Sequence, residues 1–295
     1  MRLKTFEFFD PPSLAYVLDL LGRFEGRGKL IAGGTDLLVQ MKNHLLAPEK
    51  VINLMRVPEL KGLEEKSGEL RIGALVSHGQ MEDAPVLKGG WEILSEAARK
   101  VGSVQIRHRG TLGGNLCNAS PSADMAPPLL VLGAEVNLAG ARGGRRIPLE
   151  SFFLGPGNTA IQPDEVLVEV FVPEAPPHSR GAFLKLGRRK SLDLALVSVA
   201  VLLTLDEDGV TCRRARIALG GVAPTPLRAK QTEKALEGQR LDGPGMRRAG
   251  QVAADECQPI SDIRASAIYR REMVRVLTER AIKKCLGLPI PPTGI

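Results

Sequence analysis

Apolar and polar residues alternate in short runs along the chain, and longer runs with helical spacing lie between them. Alternation predicts strands, because successive side chains of a strand point to opposite faces. In the first part of the chain, the runs that predict strands are 29–32, 51–54, 69–76, 135–139, 146–149 and 166–172. Apolar residues three and four positions apart predict helices, and these runs are 36–46, 90–101 and 122–132.

A proline-rich stretch at 174–181 interrupts this pattern and predicts a domain boundary. After it, alternation predicts three strands and helical spacing predicts three helices. The strands are 182–186, 195–205 and 212–219, and the helices are 229–236, 244–255 and 264–285. We therefore predict a first domain at 1–177, a second at 178–288 and a tail at 289–295.

Composition excludes several classes of function. The formal charge is +7, but only 4% of residues are aromatic, which is poor material for stacking nucleic-acid bases. The longest uncharged apolar run, between Asp193 and Asp206, holds 12 residues and is too short to span a bilayer. No secretory signal is visible at the start. We expect a cytoplasmic protein that binds neither nucleic acid nor membrane.

The four cysteines and four histidines are scattered, without a C-x-x-C pair or histidines four apart. Clustered thiols are typical of zinc and iron–sulfur sites, so we expect reduced thiols and no metal site in this chain. No G-x-S-x-G elbow or hydrolytic triad is present either. The sequence therefore offers no catalytic side-chain group of its own.

Two paired-glycine motifs stand out, at 32–36 (AGGTD) and 111–115 (TLGGN). Glycine lets the backbone approach a ligand closely, and consecutive free N–H groups form an anion-binding concavity. Both motifs could equally be plain turns. G-x-G-x-x-G and Walker patterns are absent, so neither a Rossmann site nor a P-loop is supported. If the motifs meet in space, a dinucleotide diphosphate is the anion that suits them.

Asp124 begins an apolar helical run after a polar stretch. A carboxylate in the first turn of a helix stabilises it by about 0.3–1 kcal/mol, and this is one interpretation. The other is a hydrogen bond to ligand hydroxyls.

Three longer segments resemble a known family: AGGTDLL at 32–38, IRHRGTLGGNLCNASPSADMAPPLLVLGA at 106–134, and FLKLGRRKSLDLALV at 183–197. The chain is similar over nearly its whole length to the FAD-binding medium subunits of molybdenum hydroxylases. This family includes carbon monoxide dehydrogenase, xanthine dehydrogenase and hydroxybenzoyl-CoA reductase. The resemblance implies an α+β fold. It comprises a two-lobed FAD-binding domain of the PCMH/vanillyl-alcohol-oxidase type, with lobes at about 1–57 and 58–177. A smaller α+β domain, an antiparallel sheet with helices, follows.

The resemblance also implies which residues contact FAD. These residues form five groups. They are the loop on the FAD diphosphate with the strand end before it, the second glycine motif, an acidic residue that hydrogen-bonds FAD, an apolar residue packed beside FAD, and a basic residue near the flavin. In this sequence they are Leu30, Ile31, Ala32, Gly33, Gly34, Thr35, Asp36, Thr111, Leu112, Gly113, Gly114, Asn115, Asp124, Leu167 and Lys185. Leu167 could instead be an ordinary core residue, and Lys185 a solvated lysine at a strand edge.

Partners and electron flow follow from the same resemblance. A large subunit holds molybdopterin, a small subunit holds two [2Fe–2S] clusters, and a dimer of heterotrimers is expected. Electrons pass from these clusters through FAD to NAD, a quinone or oxygen. The cysteine-rich insertion of the reductase branch is absent, so its extra cluster is not expected. Two alternatives remain: a stand-alone FAD-dependent oxidase of the same superfamily, or a scaffold that has lost its cofactor.

Overall fold

The computed structural model describes residues 3–189 and 191–290. Its strands are β1 (Glu7–Phe9), β2 (Gly28–Ile31), β3 (Lys50–Asn53), β4 (Leu63–Lys66), β5 (Glu69–Gly73), β6 (Glu135–Gly140), β7 (Gly143–Pro148), β8 (Phe153–Gly155), β9 (Asn158–Thr159), β10 (Glu165–Pro173), β11 (Ser179–Leu186), β12 (Val197–Leu205), β13 (Cys212–Gly220) and β14 (Leu227–Arg228). Its helices are α1 (Leu14–Phe24), α2 (Leu37–Lys42), α3 (His78–Glu82), α4 (Glu92–Ala98), α5 (Val104–Arg109), α6 (Leu112–Cys117), α7 (Ala126–Leu132), α8 (Lys230–Leu236), α9 (Gly243–Glu256) and α10 (Ala267–Cys285).

The first sheet is small and parallel, with the strand order β1-β3-β2. Helix α1 begins at the N-cap Ser13, whose side chain accepts a hydrogen bond from the backbone N–H of Tyr16. The helix buries Val17, Leu21 and Phe24 in a core that also contains Ile52 of β3. This packing holds the carboxyl end of β2, where the first glycine motif begins.

The second sheet has five antiparallel strands in the order β4-β5-β10-β6-β7. Strand β10 lies at its centre, and its residues are mostly buried. Helices α6 and α7 contribute Leu112, Leu116 and Leu129 to the core that this sheet shares, and all three side chains are fully buried. The second glycine motif therefore stands on a packed apolar base.

The third sheet, β11-β12-β13-β14, is antiparallel and has apolar residues on both faces. One face carries Val199 and Val201 and packs against the core of α8, α9 and α10. The other face carries Phe183 and Ala200, which belong to the core of the five-stranded sheet. Because both faces are covered, β12 is buried along its whole length.

The predicted strands and helices all occur, and the α+β class with an antiparallel sheet and helices at the C-terminal end is confirmed. The largest difference is at the second glycine motif, 111–115, which could be a plain turn by sequence but which the structure has in helix α6 and its N-cap Thr111. Thr111 caps this helix by accepting from Gly114 N, and Leu112 and Leu116 anchor it in the core. Tertiary packing thus overrides the low helix propensity of two consecutive glycines.

Smaller differences concern element ends and elements that the pattern missed. The helix predicted at 36–46 ends at Lys42. The sequence pattern does not predict α1, α3, α5, β1, β4, β8, β9 or β14. No helix in the described part of the chain combines the length and hydrophobicity needed to cross a bilayer.

We expect Leu116→Ala to lower the free energy of unfolding by about 2–5 kcal/mol, because it leaves a cavity beneath α6. Leu154→Ala is the matched control, since that side chain is 62% exposed and such changes usually stay within about 0.5 kcal/mol. Chemical denaturation measures both. An equal, small effect of the two substitutions would show that α6 is not anchored as described.

Candidate functional site

The first glycine motif joins the end of β2 to the start of α2. Gly34 has a φ of +74°, which L side chains rarely adopt, so glycine allows the sharp turn. The backbone N–H groups of Gly33, Gly34, Thr35 and Asp36 have no hydrogen-bond acceptor among the described residues. Consecutive unpaired N–H groups at a turn are the arrangement that binds anions.

The second motif is built differently, because most of its N–H groups are already paired. Leu112 N donates to Val76 O at 2.9 Å, and Gly113 N donates to Ala74 O at 2.9 Å. Gly114 N and Asn115 N both donate to Thr111. The expectation of free N–H groups therefore holds for the first motif but not for these four residues of the second.

The two glycines of the second motif have separate tasks. A Cβ on Gly113 would lie 2.7 Å from the Ala74 side chain and 2.8 Å from its carbonyl oxygen, so Gly113 lets α6 pack closely. Gly114 is exposed, and a Cβ there would meet only Thr111 Oγ1, at 3.0 Å. Beside it, Asn115 Oδ1 is buried without a hydrogen-bond partner in the described structure. Gly114 and Asn115 thus present a bare backbone and a free acceptor.

The backbone of the first motif meets the two residues that directly precede the second motif, Arg109 and Gly110. A Cβ on Gly33 would lie 1.7 Å from the carbonyl oxygen of Arg109, so no other residue fits there without moving a loop. A Cβ on Gly110 would lie 3.6 Å from Thr35 Oγ1. The residues implied by the two glycine motifs therefore come together on one surface.

Side chains next to the motifs add a second link. Asn118 Nδ2 donates to Asp36 Oδ1 at 3.3 Å, and Gln40 Nε2 donates to Asn118 Oδ1 at 3.3 Å. Asn118 therefore joins the C-terminal end of α6 to both the first motif and α2.

Asp124 and Lys185 form a buried ion pair. Lys185 Nζ lies 2.6 Å from Asp124 Oδ2, and each side chain is only 8% exposed. Lys185 Nζ also donates to the carbonyl oxygen of Lys100 at 2.9 Å. Burial raises the pKa of Asp124 to about 6, and Lys185 opposes the rise. The interpretation of Lys185 as a solvated lysine at a strand edge is therefore wrong.

The remaining predicted residues lie on the strands that frame the site. Leu30 and Ile31 are half-buried at the end of β2, directly before the first motif. Leu167 is 3% exposed on β10, pairs with Leu138 and belongs to the same core as Leu112. A contact between Leu167 and a cofactor stays a prediction, since its visible role is in the core.

His78, which the sequence reasoning did not select, supports the junction of the motifs. The backbone N–H of His78 donates to Gly110 O at 3.1 Å, and a Cβ on Gly110 would lie 3.3 Å from the His78 imidazole ring. Burial first, and then Arg107, lower its pKa to about 4, so the ring is neutral at neutral pH. A single histidine far from the glycines in sequence gave no signal of this position.

The chemistry of this surface is that of binding. Among residues 3–189 and 191–290, no three His, Cys, Asp or Glu side chains lie close enough together to hold a metal ion. Burial raises the pKa of the Cys212 and Cys285 thiols to about 12, so these thiols are poor nucleophiles. What the site offers is unpaired N–H groups, a bare glycine backbone and the buried acceptors Asn115 Oδ1 and Asp124 Oδ1.

Comparison with known protein families identifies both halves of the chain. Residues 4–175 match the model of the FAD binding domain in molybdopterin dehydrogenase. Residues 182–285 match the CO dehydrogenase flavoprotein C-terminal domain. Together these matches span nearly all of the described residues.

Individual relatives are similar over almost their full length. The carbon monoxide dehydrogenase medium chain of Hydrogenophaga pseudoflava is 34% identical over 94% of this chain and 96% of its own. The nicotinate dehydrogenase FAD-subunit of Eubacterium barkeri is 34% identical over 92% and 93% of the two chains.

Solved structures show the same fold. A chain of the Hydrogenophaga pseudoflava carbon monoxide dehydrogenase aligns with a TM-score of 0.94 at 33% identity, covering 97% of this chain and 99% of that one. Quinoline 2-oxidoreductase from Pseudomonas putida 86 aligns with a TM-score of 0.92 at 32% identity, covering 97% and 99%. The chain belongs to the FAD-binding medium subunits of the molybdenum hydroxylases, a family of oxidoreductase flavoproteins.

Proposed function

We propose that this chain binds FAD at the junction of its two glycine motifs and serves as the electron-transferring subunit of a molybdenum hydroxylase complex. The observation that carries the proposal is the set of four consecutive unpaired N–H groups, from Gly33 to Asp36. Together with the family membership, they favour a ligand with a diphosphate.

The residues present fit FAD. The N–H groups of Gly33, Gly34, Thr35 and Asp36 would hold the diphosphate, and Ala32 lies at the entrance to this loop. Thr111, Leu112 and Gly113 support Gly114, over whose bare backbone the ligand would pass. Asn115 Oδ1 and Asp124 Oδ1 are buried acceptors that ligand hydroxyl or N–H donors would pair.

Bound FAD would supply the redox chemistry, taking electrons from partner [2Fe–2S] clusters and giving them to NAD, a quinone or oxygen. The chain's own residues would bind and position the ligand, with the N–H groups at 33–36 donating hydrogen bonds to its diphosphate. No acid or base from this chain is assigned to the reaction, which agrees with a subunit whose chemistry belongs to its cofactor.

The partners we propose are a small iron–sulfur subunit and a large molybdopterin subunit, assembled as a dimer of heterotrimers in the cytoplasm. The support lies in the relatives, which are named as a medium chain or an FAD-subunit of dehydrogenases. The substrate is expected to bind the large subunit, so this chain does not determine it.

We propose a domain organisation to match, with FAD bound by residues 1–177, in lobes at about 1–57 and 58–177. Residues 178–288 form the second domain. The family models, which end at residue 175 and begin at residue 182, support a boundary near residue 177. Of the proposed tail, 289–295, residues 291–295 lie outside the described structure.

Titration of the purified full-length chain with FAD tests the proposal. We expect one FAD per chain, a flavin absorption spectrum and quenched flavin fluorescence. A chain that binds no FAD at micromolar concentrations would overturn the proposed function and favour a scaffold without a cofactor.

The alternative of a stand-alone oxidase makes a different prediction for the same loaded chain. Without its partners, the subunit we propose should show no turnover with aldehyde, purine or alcohol substrates. It should, however, reoxidise after chemical reduction when an acceptor is added. Multiple turnovers by the chain alone would support the oxidase instead.

Gly114→Val should abolish FAD retention, because its side chain would occupy the exposed surface over which the ligand passes. Gly155→Val is the control: a Cβ on Gly155 would meet no atom within 4 Å, whereas one on Gly114 would meet only Thr111 Oγ1, and Gly155 lies on β8, outside both motifs. We expect the control to bind FAD as the original chain does. A folded Gly114→Val protein that is fully loaded with FAD would contradict the proposed ligand path.

A further inference from the structure

Strand β11 carries Lys185 on the face that meets the N-terminal domain. Phe183 and Lys185 are two positions apart and so share a face, and Phe183 belongs to the core of the five-stranded sheet. Lys185 therefore lies beside the apolar contact that Phe183 makes with the N-terminal half of the chain. A lysine in such a position needs a partner, because an unpaired buried charge is costly.

The segment just before its partner, Asp124, is joined to the C-terminal half by two hydrogen bonds. Pro121 O accepts from Gly221 N at 2.7 Å, and Ser122 Oγ donates to Ala195 O at 3.0 Å. Both contacts join the segment before α7 to the C-terminal sheet region. The position of Asp124 is thus set by residues of the C-terminal half.

The ion pair uses only one of the two carboxylate oxygens. Oδ2 receives the ammonium at 2.6 Å, whereas Oδ1 is buried and has no partner in the described structure. An ionised carboxylate can only accept hydrogen bonds, so Oδ1 can accept one from a ligand donor. FAD, with its ribityl hydroxyls and ring N–H, is a source of such donors.

We propose that Lys185 is a positioning residue that acts through Asp124: it keeps this carboxylate ionised and turned so that Oδ1 accepts a hydrogen bond from bound FAD. This inference rests on the proposed function. It differs from the expectation that Lys185 acts directly on the flavin. It also makes the C-terminal domain a contributor to FAD affinity.

Electrostatics supports the pairing. Burial raises the pKa of Asp124, and Lys185 opposes this rise. Without the lysine, the pKa of Asp124 would rise further. Protonation of the carboxyl would then begin at a higher pH and would remove the acceptor.

A double-mutant cycle on the full-length chain tests the inference, with the FAD dissociation constant measured by flavin fluorescence at pH 5.5 to 9. The affinity of the original chain should be steady above neutral pH and fall below about pH 6, where Asp124 takes up a proton. Lys185→Met should weaken binding at pH 7 by about 10- to 100-fold, the usual effect of losing a hydrogen bond to a charged group. As the pH is lowered, the FAD affinity of the Lys185→Met variant should begin to fall at a higher pH than the affinity of the original chain.

In an Asp124→Asn background, Lys185→Met should weaken FAD binding by no more than about twofold, because the carboxylate through which Lys185 acts has been removed. An equal loss in both backgrounds would show direct action on the flavin and overturn the inference. So would an unchanged affinity and pH profile in Lys185→Met. If the original chain itself binds no FAD, the proposed function fails, which is a separate result.

Two further variants serve as controls for this interpretation. Lys230→Met is the matched control, since Lys230 also pairs with a carboxylate of the N-terminal half, Glu150, but both side chains are exposed. It should leave the affinity and pH profile unchanged. Lys185→Gln repeats the cycle with a second replacement of the lysine. Circular dichroism shows whether each variant is folded, and if one is misfolded, the result of the other tests the inference.

Discussion

The site depends on a contact between two stretches of backbone that leaves no room for a side chain. Gly33 meets the carbonyl of Arg109 so closely that a single added carbon would overlap it. The contact fixes the first glycine motif against the segment leading into α6. Because that motif is held from outside, its N–H groups need not pair among themselves and stay free for a ligand.

The two motifs consequently have different roles. Segment 74–78 pairs with the second motif through backbone hydrogen bonds, and α6 is anchored below in the apolar core. The second motif is therefore the rigid partner, and the first is the one that supplies donors. Preorganised donors cost little to align when the ligand arrives, and this favours affinity.

Much of the fold can be predicted from the sequence. Its strands and long helices bury one face, so their apolar residues recur at regular spacing. Helix α6 was not predicted, since consecutive glycines favour a turn and only the Thr111 cap and buried leucines decide otherwise. The glycine motifs were singled out by composition, but their contact depends on tertiary packing. The pairing of Asp124 with Lys185 joins distant segments, and neither residue alone indicates it.

Amide hydrogen exchange of the full-length chain, with and without FAD, tests the central claim most directly. Exchange slows when an N–H group becomes hydrogen-bonded and protected from water. We predict that FAD strongly slows exchange at Gly33, Gly34, Thr35 and Asp36. Exchange at 112–115, where the N–H groups are already paired within the protein, should change much less. Binding of FAD with no change at 33–36 would contradict the claim that these N–H groups hold its diphosphate.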